Sequence, residues 1–101
     1  MRRLLAAALA CVAAAPLAAQ DDLGRKVFTE IAQPPCKLCH TLKAAGAAAT
    51  VGPSLDELRP DKANASEAVR KGIGVMPPYA DKLTREQIDA VSAYVAKVAG
   101  E

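Results

Sequence analysis

Cys36-Lys37-Leu38-Cys39-His40 constrains this chain more than any other stretch of its 101 residues. Two thiols one helical turn apart, followed at once by an imidazole, can do few things. They can close a disulfide, hold a metal, cycle as a redox dithiol, or be consumed in covalent links. The surrounding sequence decides how many partners the pair has. Of the three cysteines, Cys11 lies in a segment with the marks of an export signal: Arg2 and Arg3, an uncharged Ala/Leu-rich run from Leu4 to Ala15, and the small residues Ala18-Ala19 before a cleavage point. The apolar run falls short of the roughly 20 residues that span a bilayer, and no second one follows, so no stable membrane insertion is expected. Residues 1–19 are read as a signal peptide and the mature chain as beginning at Gln20 or Asp21, which makes the protein periplasmic. Lipid attachment at Cys11 is the alternative, but Ala8-Leu9-Ala10 fits that pattern poorly.

With Cys11 removed, Cys36, Cys39 and His40 are the strong metal donors that remain. A structural zinc site wants four, so zinc would need a carboxylate or a second chain. A thiol-disulfide oxidoreductase would need the pair between a strand and a helix in a βαβ pattern, which is not found. The covalent option has neither difficulty: each thiol can add to one vinyl group of a haem, and the following His can bring its imidazole under the iron. The ligand on the other side follows by exhaustion. The chain has one His and, beyond the initiator, a single Met, Met76. A thioether favours the ferrous state and so a high potential. Pro77 biases Met76 away from helical geometry, while Gly72 and Gly74 allow close approach to a flat ring. A Met that merely fills a core gap is the competing reading.

Removing residues 1–19 leaves one small domain, near the size at which a hydrophobic core alone is marginal. There is no Trp, and the aromatic residues are Phe28, Tyr79 and Tyr94. A buried porphyrin would supply the missing bulk. The formal charge of +2 is that of Arg2 and Arg3, so the rest of the chain is neutral. That disfavours nucleic acid or an anionic membrane as a partner.

Along the chain, Asp21 or Asp22 is placed to cap a helix whose apolar positions are Leu23, Val27, Phe28 and Ile31, and Pro34-Pro35 stops it. Residues 41–59 show no sustained period and read as a long loop. Asn64 with Glu67 reads as the start of a short helix that ends at Gly72. Thr84 with Gln87 makes a capping box before the stripe Ile88, Val91, Tyr94, Val95 and Val98, and Gly100 can close that helix. No segment alternates at period two. The expected class is all-α, three to four short helices with long loops wrapped around one covalent haem.

These residues together resemble the small bacterial class I c-type cytochromes. The likeness runs from Gly24 and Phe28 through Cys36 to His40, Gly52-Pro53-Ser54-Leu55 and Gly72 to Pro78, to Tyr94. It implies the class I cytochrome c fold over residues 20–101, with first and last helices crossing at right angles near Gly24 and Tyr94. It also implies that the Pro53 carbonyl accepts a hydrogen bond from Nδ1 of His40. Arg59, six residues after Pro53, is the nearest candidate for a haem propionate, a solvated surface Arg being the alternative. Lys37, Lys43, Lys71 and Lys82 could ring an exposed haem edge or simply keep the protein soluble. The expected function is one-electron carriage between a periplasmic dehydrogenase and a terminal oxidase or another cytochrome, by a monomer that is not an enzyme. Segments 39–42, 51–58 and 72–78 are similar to small cytochromes that serve sulfite-oxidising molybdenum enzymes, which makes a sulfite dehydrogenase one candidate donor. A haem-based sensor of small ligands and an electron-transfer subunit of an enzyme complex are the rivals within the haem reading. A haem-free thiol-disulfide oxidoreductase is the rival outside it.

Overall fold

The first helix starts earlier than its acidic residues suggest. In the computed structural model, which describes residues 16–101, α1 runs Leu17–Lys26 with Pro16 as its N-cap. Asp21 and Asp22 therefore sit inside the helix and do not cap it; Ala18, Ala19 and Gln20 are good helix formers that carry the helix back past them. Arg2, Arg3 and Cys11 lie outside the described residues, whereas Ala18 and Ala19 belong to the first turn of α1. The helix then widens into a π turn, Val27–Ile31, closed by the Ala32 N–H on the Val27 carbonyl at 3.1 Å. Val27 and Phe28 are fully buried there. Ile31 was expected on the same stripe but is 37% exposed. More residues per turn in the π segment move it off the face that an α-helical period would assign it.

Residues 41–59 are not one loop. β1 (Thr41–Leu42) pairs antiparallel with β2 (Ala47–Ala48), Leu42 opposite Ala47, across a 3₁₀ turn that Gly46 ends. Leu42 is completely buried. Ser54 then caps the four-residue helix α2 (Leu55–Leu58). Elements this short contain no full repeat of either period, so no pattern announces them.

α3 spans Lys62–Lys71 and stops at Gly72 as expected, but its cap is Asp61, whose carboxylate accepts the Asn64 N–H at 2.7 Å. Asn64 is thus the third helical residue and not the cap. α4 (Arg85–Val98) keeps the anticipated capping box: the Gln87 N–H donates to Thr84 Oγ1 at 3.1 Å, and the Thr84 N–H to Gln87 Oε1 at 2.9 Å. Ile88, Val91, Tyr94 and Val95 are buried on one face, and Gly100, with φ of 84°, follows the helix end.

α1 and α4 pack against each other at Gly24. A Cβ there would overlap the Ala90 carbonyl oxygen and Tyr94 Cβ, so only Gly allows this approach. The contact expected near Gly24 and Tyr94 is therefore present, and Lys97 reaches Asp21 across the same pair of helices at 2.6 Å. Among the described residues no helix is long and apolar enough to cross a membrane. The helices and the loops between them leave a cavity on the flank of α4.

Candidate functional site

The turn that follows Pro35 sets the geometry. Cys36–Leu38 forms one 3₁₀ turn, and the N–H groups of Cys39 and His40 both donate to the Cys36 carbonyl, each at 3.1 Å. This compact turn brings both sulfurs and the imidazole to one side of the chain. Cys36 and Cys39 are half-buried, with no disulfide between them. In the polypeptide before covalent attachment, burial pushes the Cys36 thiol up to about 11.

His40 is held at two points. Its Nδ1 donates to the Pro53 carbonyl at 2.7 Å. A carbonyl only accepts, so the proton resides on Nδ1 and the lone pair of Nε2 is left available. Gly52 lies against the ring: a Cβ on it would come within 2.7 Å of His40 Cε1. The Gly52 N–H in turn donates to the Cys39 carbonyl at 2.6 Å, which joins this strand of chain to the Cys-x-x-Cys-His turn. Gly52 is a site residue that sequence reasoning assigned no role. Its constraint is contact with a ring twelve positions earlier, which no local pattern records.

Met76 is positioned by a tight reversal. The Ile73 N–H donates to the Met76 carbonyl at 3.1 Å and the Met76 N–H to the Ile73 carbonyl at 2.9 Å, with Gly72 and Gly74 at φ of 69° and 57°. Three residues on, Tyr79 is 4% exposed, its N–H bonded to the Val69 carbonyl at 2.8 Å. Its Oη donates to the Pro34 carbonyl at 2.6 Å, which ties the Met76 segment to the residue two before Cys36. Burial pushes the Tyr79 hydroxyl up to about 12, so it remains a donor at any ordinary pH.

Cys36, Cys39, His40 and Met76 all line one cavity of about 620 Å³, whose remaining walls include Phe28, Val69, Val91 and Val95. Protein interiors are close-packed, so a space of this size within so small a domain belongs to a ligand. The walls suit a large, flat, apolar group; the thiols, imidazole and thioether suit the attachment and ligation of haem. One buried polar group stands beside the cavity. Ser92 is fully buried, lines the cavity, and its Oγ has no hydrogen-bond partner among the described residues. A buried hydroxyl left so costs about 1–3 kcal/mol.

Arg59 also lines the cavity. It closes α2 in the left-handed region, φ 46°, the single non-Gly residue among those described to do so, and its Nε donates to the Asp56 carbonyl at 3.4 Å. Asp56 is the anchor of this corner: its carboxylate accepts the Gly100 N–H at 2.9 Å and the Lys43 N–H at 2.8 Å. Of the other cations singled out from sequence, Lys71 pairs with Glu67 at 3.1 Å and Lys82 lies 5.7 Å from the centre of the Tyr79 ring. Apolar residues mark the cavity mouth instead. Val75, Val51 and Ile73 line the cavity while 92%, 71% and 68% exposed.

Residues 19–95 match the family described as cytochrome C oxidase, cbb3-type, subunit III. The crystal structure of the c-type cytochrome SorU from Sinorhizobium meliloti is similar to this chain, with a TM-score of 0.80 and 49% identity over 83% of this chain and 95% of that one. Among curated proteins nothing matches.

Proposed function

Because the chain belongs to the c-type cytochromes, in the family of cytochrome c oxidase, cbb3-type, subunit III, we propose that it is a periplasmic one-electron carrier in which Cys36 and Cys39 would hold the haem and His40 and Met76 would ligate its iron. Family membership brings covalently attached haem c and places the chain among electron carriers, not enzymes. When bound, haem c supplies a one-electron ferric/ferrous couple.

The observation that carries the residue assignment is the convergence of these four side chains on one apolar cavity, with Nε2 of His40 freed by the Nδ1 bond to Pro53. That bond also orients the ring and raises its basicity as a ligand. Met76 offers a soft neutral sulfur; with it and His40 holding the haem iron, the group would supply outer-sphere electron transfer and not ligand sensing. The apolar walls exclude water and limit the reorganisation that accompanies a change of charge. Arg59, which lines the cavity, remains the candidate partner for a propionate, and its left-handed backbone is of the kind that surrounding structure sustains at functional sites.

Replacing Met76 by Ala in the holoprotein should lower the midpoint potential, abolish the weak red sulfur-to-iron band of the ferric form, and admit added ligands. An unchanged visible spectrum would remove Met76 from the assignment.

For the partners, a periplasmic dehydrogenase is the donor and a terminal oxidase or another cytochrome the acceptor. A sulfite-oxidising molybdenum enzyme is the donor we favour. The similarity of segments 39–42, 51–58 and 72–78 to cytochromes of such systems supports it. Rapid reduction of the purified protein by that enzyme with sulfite is expected; failure there, with reduction by a different dehydrogenase, would reassign the donor. The boundary between a signal peptide at 1–19 and the domain at 20–101 belongs to the same proposal, and the N-terminal sequence of the exported protein tests it.

A further inference from the structure

Ser92 stands where the fold has no need of a polar side chain. It lies on α4 one residue after Val91 and three before Val95, both cavity-wall residues, and has no exposed surface. A Ser in a helix usually satisfies its hydroxyl on the carbonyl four residues back, here that of Ile88. That bond is not made, and Oγ has no other partner among the described residues. Native structures rarely leave such a group without a reason. An Ala in its place would cost nothing in hydrogen bonds and would suit the apolar surroundings. The hydroxyl is therefore an unspent dipole buried beside the site assigned to haem.

We propose that Ser92 sets the redox potential: its buried, rotatable hydroxyl favours the oxidised form of the bound haem over the reduced form and so holds the potential down. The inference rests on the haem reading given above. The oxidised cofactor carries one more positive charge than the reduced one. In a cavity of low effective dielectric, a hydroxyl free to turn presents its oxygen lone pairs towards that charge, and water does not screen the interaction. On reduction one electron arrives from the donor protein, no proton moves, and Ser92 keeps its O–H throughout. Ser92 touches no reacting atom in this account; it is a positioning residue whose effect is electrostatic.

The test uses the haem-loaded protein with Ser92→Ala, Ser92→Val and Ser92→Thr, each verified by intact mass to carry one haem, and measures midpoint potentials by spectroelectrochemistry. Val and Thr have the same shape and differ by the hydroxyl, so their difference isolates the dipole from packing. Ser92→Ala and Ser92→Val should shift the potential upward, Ser92→Thr should stay close to the parent protein, and the differences should persist across neutral pH. Equal potentials for the Val and Thr variants would overturn the proposal. If the larger side chains prevent folding, Ser92→Ala decides: an upward shift supports the proposal and an unchanged potential overturns it. Parent protein that carries no haem would instead overturn the haem reading, so the two failures are distinct.

Discussion

The Pro53 carbonyl decides which nitrogen of His40 is available. Because it can only accept, it fixes the proton on Nδ1 and presents Nε2 to the cavity. Gly52 keeps the ring there by close contact. Gly52→Ala should drive a methyl group into the imidazole, 2.7 Å from Cε1, and destabilise the holoprotein by about 1–3 kcal/mol, typical of overpacking. Denaturant unfolding measures this, and a shifted Soret region would report the displaced ring. An unperturbed variant would mean that Gly52 does not constrain His40. At this scale the sequence was informative where chemistry is contiguous: Cys36, Cys39 and His40 stand together, and Met76 had no rival. Gly52 enters the sequence reading only as part of the family likeness, and Ser92 not at all, because their significance arises from residues brought near by folding.

Elements were readable in proportion to their length. α4 carries more than three turns of apolar stripe and a reciprocal cap, so its start and face were evident. α3 was found with its cap one turn late, since Asn64 and Asp61 both satisfy the same local preference and only the hydrogen bond distinguishes them. The hairpin and α2 hold too few residues to show a period. Their stability comes from contacts at a distance, and Asp56 joins them: one carboxylate on α2 receives the Gly100 N–H beyond α4 and the Lys43 N–H beside β1. Those two bonds, Gly100 first, hold the Asp56 pKa below the usual 3.8. The unfolded chain therefore takes up this proton before the folded one does. The contribution is complete above the unfolded value and is lost as pH falls through the lowered folded value. Unfolding of the parent protein and of Asp56→Asn, followed from neutral to strongly acid pH, should show a part of the acid destabilisation that the variant lacks. Parallel pH curves would contradict this role.

Across the whole molecule, the folded chain encloses a cavity that its own side chains do not fill, and the exposed apolar residues Val75, Val51 and Ile73 surround the opening. A small neutral domain with few aromatics lacks bulk, which is what a buried porphyrin supplies. The proposed carrier role makes this rim the face to test for electron exchange. Val75→Glu should slow reduction by the donor about tenfold or more, as loss of a central contact does, at unchanged potential. Charge reversal at Lys37 and Lys71 should act through the salt dependence of the rate. If neither change alters the rate, electrons pass elsewhere.

The central claim is that Cys36 and Cys39 bind haem covalently. Intact mass spectrometry of the protein exported by a host with haem-attachment machinery tests it most directly. The expected result is the mature chain plus the mass of one haem, with no titratable thiol, and loss of that added mass when both cysteines are replaced by Ala. A chain at its bare polypeptide mass, with two reactive thiols or a disulfide and no chromophore, would contradict it.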